Sequence, residues 1–528
     1  MPKYNDGGSF GGMEESGASL SLAQQVAQMV VVRVSGYRYD RQIQYPAWEP
    51  DAATLKTWIQ DLGVGGVILL GGSAIEVAER CRQLQAWASL PLLLAADIEE
   101  GVGQRFSGAT EFPPPAALGA IAQRDLNRAI DLAAAMGAYT AAEALALGLN
   151  WVLAPVVDVN NNPANPVINV RAFGETPAVV GALAQAFIRG ARQYPVLTAA
   201  KHFPGHGDTA VDSHLELPVL PHDRDRLEAI EWPPFTAAIA AGVESVMSAH
   251  VLLPALDNTY PATLSAPILT GILRDAMGFE GLIVTDALVM GAIANTYGTA
   301  EAAVKAVEAG ADILLMPLDP PAAIEAVVAA VTSGRIPPTR IEASLRRIQR
   351  AKARLSKLTI DLDYLQTTPA VAVAAAIQKE SLQRAGQTLR PTTAGINCLI
   401  VDDALRASFL GRTCPALTLP PQWGFHQRWV VDQFTPPEAI AALPPQPTLV
   451  QVFSRGNPFR GKAGLSPSAI ATLEHLQQQG AIAALVVYGS PYAYADIAAT
   501  MPADLPRVFS YGHAPAAQAI ALEALGNG

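Results

Sequence analysis

Short runs that are apolar at most positions and do not alternate recur along the first two thirds of the chain, at 29–34, 66–70, 92–96, 151–154, 197–201, 245–249, 282–285 and 312–316. A strand with one wet face alternates apolar and polar residues. A run without that alternation predicts a strand covered on both faces, as in a parallel sheet. Between these runs lie alanine-rich segments such as 125–147 (DLNRAIDLAAAMGAYTAAEALAL) and 301–309 (EAAVKAVEA), whose composition favours helix. Eight such strands alternating with helices predict an α/β fold of the (β/α)8 TIM-like barrel type.

The pattern pauses at a basic segment, 335–358, which reads as a helix, and at 359–369 (TIDLDYLQTTP), which has the composition of a linker. It then restarts. INCLIVDD, RWVVDQF, TLVQVFS, ALVVYGS and RVFSYGH are strand-like and separated by helical pieces, predicting a smaller open α/β domain. The expected organisation is a flexible amino-terminal segment at 1–20, a barrel over 21–358, a linker at 359–375 and the second domain over 376–528.

Composition narrows the partners. The chain has 528 residues, 50% hydrophobic and 16% charged, enough apolar material for sizeable cores. With Lys+Arg 36 against Asp+Glu 47 the formal net charge is -11, which supplies no basic face for nucleic acid. The longest apolar runs (LGVGGVILLGG, LPLLLAA, AIAALVVYG) are about half the ~20 residues a spanning helix needs, so they predict buried strands and no membrane partner. Cys81, Cys398 and Cys414 are an odd number with no Cys-x-x-Cys pair, which fits a reducing, cytoplasmic setting. The amino terminus lacks the basic start and apolar stretch of a secretory signal.

In such a barrel, chemistry belongs at the carboxyl ends of the strands. Those ends carry Asp97, the 158–162 stretch, Lys201 with His202, His250 and Asp286. Burying these groups singly would cost several kcal/mol each, so a shared polar cavity is expected. His202 and His206 have the spacing of a zinc-binding helix, but Pro204, Gly205 and Gly207 oppose a helix there and no Glu accompanies them. No metal and no cofactor is predicted. Asp212 lies two residues before His214, where a carboxylate can accept the hydrogen bond of one ring nitrogen and leave the other for proton transfer. Asp286 ends the run LIVTD; it suits a nucleophile at the barrel mouth, or equally the cap of the helix expected to follow.

The segment KHFPGHGDTAVDSH, with NPVINVRAFGETP before it and MSAHVLLPALD, PATLS and IVTDALVMGAI after it, resembles glycoside hydrolase family 3. It is most similar to that family's bacterial β-N-acetylglucosaminidases (β-N-acetylhexosaminidases), which work in peptidoglycan recycling. The likeness runs from about residue 23 to 358, and the second domain resembles, more loosely, the carboxyl-terminal domain of the longer members. The resemblance implies a retaining mechanism with Asp286 as nucleophile and His214, held by Asp212, as acid/base. It implies Lys201, His202, Arg171, Asp97 and Arg105 as sugar-binding residues. In DIEEGVGQRF, Glu100 stands where the family has Gly, Val102 for Arg and Gly103 for Val, and Ala287 replaces a second Asp.

The implied substrate is a carbohydrate: a terminal β-linked N-acetylglucosaminide, from muropeptide-like cell-wall fragments. A retaining glycosidase needs a nucleophile and a proton donor flanking one anomeric carbon, and an imidazole of ordinary pKa about 6.5 suits the second task near neutral pH. Three other readings are weighed against this one. A phosphorylase would use the same residues with phosphate as acceptor. A β-glucosidase of the same family is opposed by the Asp212–His214 loop, and a non-catalytic sugar-binding protein by the retention of Asp286 and His214.

Overall fold

A computed structural model describes residues 20–213, 215–355, 358–455 and 463–526. The expected lead-in at 1–20, apart from Leu20, lies outside these residues, and so does His214. Eight strands form the first sheet: β1 (Val30–Ser35), β2 (Gly66–Leu70), β3 (Leu93–Ala96), β4 (Trp151–Val152), β5 (Leu197–Phe203), β6 (Ser245–Ser248), β7 (Leu282–Val284) and β8 (Leu314–Leu315). Their order is β7-β6-β5-β4-β3-β2-β1-β8, all neighbours parallel, and a bridge between Val284 and Ile313 joins the two ends into a barrel. Nearly every strand residue is buried, which is why the runs read as apolar without alternation.

The last predicted strand, 312–316, shortens to Leu314–Leu315 because its first residue has another task. Asp312 is fully buried and takes ion pairs from Arg274 (2.8 Å), Arg347 (3.1 Å) and Arg340 (3.4 Å), pinning the basic helix Pro338–Ala353 to the barrel floor.

Residues 368–375, expected as linker, form the first half of the helix Thr368–Ser381, whose run AVAVAAAI favours helix strongly. This helix packs against two barrel helices, Ala116–Ala122 and Leu126–Ala146, and against the carboxyl-terminal helix Pro515–Gly526. The second domain is a six-stranded sheet made of β9 (Gln383–Ala385), β10 (Gly395–Ile400), β11 (Phe425–Val431), β12 (Thr448–Ser454), β13 (Ile482–Gly489) and β14 (Arg507–Ser510). Its order is β11-β10-β12-β13-β14-β9, parallel except for the edge strand β9.

Polar contacts fasten the domains together. Arg128 holds Glu380 with Nη2–Oε1 2.6 Å and Nε–Oε2 3.0 Å. The Tyr492 hydroxyl donates to Glu175 Oε1 (2.7 Å) and accepts from Asn160 Nδ2 (2.8 Å). Arg455 pairs with Glu100 through both terminal nitrogens. No helix among the described residues is long and apolar enough to cross a membrane.

Candidate active site

The mouth of the barrel is built on a buried ionic cluster. Lys201, near the end of β5, is 1% exposed and places Nζ 2.7 Å from Asp97 Oδ1 and 2.6 Å from Glu99 Oε1. Arg171, in the turn Asn169–Arg171, grips the same Glu99 with two hydrogen bonds of 2.8 Å. Two cations thus face two carboxylates, the condition under which buried charges are tolerated. Burial would raise the Glu99 pKa, but Arg171 and Lys201 hold it well below the usual carboxylate range. Burial would likewise lower that of Lys201, and Asp97 and Glu99 raise it instead. Asp97 is 27% exposed and lines the cavity, so its carboxylate remains open to a ligand on one side. Arg105 donates from Nε to the Asp97 carbonyl (2.9 Å), at the cavity rim.

His202 is set by a second buried carboxylate. Asp158, fully buried, accepts from the His202 backbone N–H (3.2 Å), the His206 backbone N–H (2.7 Å) and the His202 Nδ1 (2.8 Å). Burial pushes the Asp158 pKa up, but His202 and His206 outweigh it and hold it down. A carboxylate on Nδ1 fixes the proton there and leaves Nε2 as the nitrogen for a ligand. The β5–β6 register slips between Lys201 and Phe203, a bulge that lets the consecutive residues Lys201 and His202 both line the cavity. Asn165 ties the neighbouring loops together: its Nδ2 donates to the carbonyls of His206 (2.9 Å) and Gly207 (3.0 Å), while its Oδ1 accepts from the amides of Val167 and Ile168.

His206 is buried and bonded at both ring nitrogens, to Thr209 Oγ1 (2.8 Å) and Ser213 Oγ (2.9 Å); burial pushes its pKa down to about 4, so it is neutral at physiological pH. Asp212 is buried and Ser213 lines the cavity. The expected hydrogen bond between Asp212 and His214 falls outside the described residues on the His214 side.

Asp286 follows β7 after one residue, Thr285. The helix after it starts at Gly291 with Met290 as its cap, so Asp286 is not that cap and instead lines the cavity, its Oδ1 accepting from the Ala287 amide at 2.7 Å. His250, buried at the end of β6, reaches the same loop from below: Nε2 contacts the Ala287 carbonyl at 3.0 Å and Nδ1 contacts Thr263 Oγ1 at 2.8 Å.

One cavity of about 1430 Å³ joins Asp97, Arg105, Arg171, Lys201, His202 and Asp286. The structure therefore brings together every expected site residue it describes except Asp212, which is buried and not among the residues that line the cavity. The second domain, in which no cluster of titratable groups was expected, supplies part of the cavity wall, including Asp402, Arg406, Phe409 and Arg455. Two residues that organise the site escape the sequence reading. Glu99 looks like one more acid in DIEE, and only its place three residues past β3 and two past Asp97 signals it. Asp158 lies within the flagged 158–162 stretch, but nothing local pairs it with His202.

Comparison with known proteins agrees with this architecture. Residues 21–351 match the Glycosyl hydrolase family 3 N terminal domain and residues 388–526 the Bacterial Glycosyl hydrolase family 3 C-terminal domain. The chain belongs to glycosyl hydrolase family 3. It is 39% identical over 288 residues to beta-hexosaminidase A of Pseudoalteromonas piscicida, covering 50% of this chain and 47% of that relative, so it spans about half of that protein's length. It is 38% identical over 265 residues to a beta-hexosaminidase of Xylella fastidiosa (strain M12), covering 49% of this chain and 78% of that one. Among solved structures, a glycoside hydrolase family 3 beta-N-acetylglucosaminidase from Paenibacillus superposes with a TM-score of 0.80 at 30% identity, covering 96% of this chain and 97% of that one.

Proposed function

We propose that this protein is a retaining exo-glycosidase that releases terminal β-linked N-acetylglucosamine, with peptidoglycan fragments as its source of substrate. The observation that carries the reading is that Asp286 shares one cavity with the Asp97–Lys201–Glu99–Arg171 cluster and the Asp158-oriented His202. Such an array of fixed donors and acceptors suits the hydroxyl groups of one sugar ring. The Asp286 carboxylate attacks the anomeric carbon while the glycosidic C–O bond breaks, and His214 gives its proton to the departing oxygen. His214 then takes a proton from water, whose oxygen displaces Asp286 and restores the free carboxylate. Asp212 stabilises the imidazolium of the first and last states of this cycle, before His214 gives up its proton and after it regains one. In support, Ser213, the residue before His214, lines the same cavity as Asp286. A reducing, cytoplasmic setting belongs to the same reading, in keeping with three buried, unpaired cysteines.

The test compares aryl β-N-acetylglucosaminide with aryl β-glucoside, with and without inorganic phosphate. The reading expects preference for the N-acetylglucosaminide, release of free sugar, and a loss of several orders of magnitude in Asp286→Ala and His214→Ala. Wild-type turnover in either variant overturns it, and sugar 1-phosphate as the main product replaces it with a phosphorylase.

A further inference from the structure

β1 contains a charge where its neighbours are aliphatic: Arg33 in VVVRVS. Its guanidinium is anchored to the buried carboxylate of Glu49, with Nε–Oε1 and Nη2–Oε1 both 2.9 Å. Above the pair lie two rings. The guanidinium carbon is 4.7 Å from the Tyr45 centroid and 5.2 Å from that of Trp48, and the rings are within 16° of parallel at 6.0 Å. Glu49 cancels the charge, and the cation–π contacts fix the rings from behind. The loop after β1 is therefore stiffened by an ion pair under an aromatic platform. Tyr45 nonetheless remains 50% exposed and lines the cavity. Beside it, Gln44 Nε2 donates to the Tyr37 hydroxyl at 3.0 Å, and both of these residues also line the cavity.

A flat aromatic face bordered by an amide and a phenol matches a pyranose ring, which offers C–H bonds on its face and hydroxyls at its edge. The position fits a second ring. β1 follows β8 around the barrel, and β8 follows β7, which leads to Asp286; the Asp97–Lys201–Glu99–Arg171 cluster and His202 stand on the β3–β5 side. The cavity, at about 1430 Å³, exceeds the roughly 300–1,000 Å³ that encloses a drug-sized ligand, so a single terminal sugar leaves it part empty.

We infer that Tyr45, seated on Trp48 and Arg33, forms the subsite for the leaving-group sugar ring, the pyranose on the far side of the scissile bond. The inference rests on the glycosidase reading above. Two sources offer that chemistry: the second N-acetylglucosamine of chitobiose, and the anhydromuramic acid of a cell-wall disaccharide. The test measures kcat/KM for both disaccharides and for β-N-acetylglucosaminyl fluoride, whose leaving group is too small to reach Tyr45. In Tyr45→Ala, the ratio of disaccharide to fluoride kcat/KM is expected to fall about tenfold, while Tyr45→Phe, which keeps the ring, holds the wild-type ratio. A fall confined to one disaccharide identifies the natural occupant. An unchanged ratio in Tyr45→Ala overturns the subsite and leaves the glycosidase reading standing. A wild-type protein inactive on all three compounds overturns both.

Discussion

His250 Nε2 donates to the carbonyl oxygen of Ala287 across 3.0 Å, so the end of β6 holds the peptide that follows Asp286. A carbonyl can only accept, which places the proton of this contact on Nε2. Asp286 has no helix of its own to seat it, since the next helix begins at Gly291, and the His250 bridge provides a fixed point in the intervening loop. A nucleophile displaced by about 1 Å loses on the order of 10²-fold in rate. His250→Ala is therefore expected to lower kcat by about 10- to 100-fold on an aryl β-N-acetylglucosaminide. His250→Asn, whose amide can donate to the same carbonyl, should recover part of the loss. Equal kcat in wild type and His250→Ala would show that the loop is held by other contacts.

Glu99 carries two cations, and its removal leaves both short of charge. Lys201 keeps Asp97, but Arg171 loses its ion-pair partner and is left with the Val167 carbonyl at 3.2 Å. Breaking a buried ion pair by deleting one partner costs about 3–5 kcal/mol. Glu99→Gln is expected to lower the unfolding free energy by an amount of that order in urea titrations, and to raise KM for the terminal sugar. A variant as stable as wild type would mean that water or a shifted proton balances the cluster.

Glu100 shows how a departure from family pattern becomes readable only in three dimensions. In the sequence it is an acid where the family has glycine. In the fold it is buried and receives Arg455 from the second domain, Nη1–Oε2 2.8 Å. The surrounding turn takes its glycines elsewhere: Gly101 has φ +82°, and a Cβ on Gly103 would sit 2.6 Å from the Ala109 carbonyl oxygen. A double-mutant cycle with Glu100→Gln and Arg455→Met is expected to give a coupling of about 1–3 kcal/mol in unfolding experiments. Additive effects would show that this pair does not join the domains.

The strands were legible because burial on both faces leaves a mostly apolar run without alternation, and Asp97, Lys201, His202 and Asp286 were legible because each sits where such a run ends, whereas Arg105 and Arg171 lie in loops that no such run marks. What links them was not. Lys201 and Glu99 are separated by 102 positions, and nothing at either position announces the partner; only the curved sheet of the closed barrel, with β4 alone between β3 and β5, brings Lys201 Nζ to 2.6 Å from Glu99 Oε1.

The same closure brings two distant residues together at the barrel floor, where Lys352 makes the last prediction. Lys352 is buried in the helix Pro338–Ala353 and donates from Nζ to Gln28 Oε1 at 2.8 Å, a neutral partner. Burial pushes its pKa down to about 7, against about 10.4 for a lysine in the unfolded chain. Between about pH 7 and 10.4 the unfolded chain therefore binds a proton that the folded protein does not, and this group makes stability rise with pH across that window. Below about pH 7 both states are protonated, and the full cost of burying the ammonium, on the order of a few kcal/mol, is present and constant. Cys81 and Cys398 work in the opposite sense at alkaline pH, because burial pushes both thiols up to about 12 and keeps them protonated in the folded state. The informative quantity is thus the difference between wild type and Lys352→Met, from which the thiol contribution cancels. Urea unfolding at pH 7, 8 and 9 should show wild type gaining stability relative to Lys352→Met as pH rises. Parallel curves would mean that Lys352 keeps its proton in the folded protein, with Gln28 and its surroundings solvating the charge.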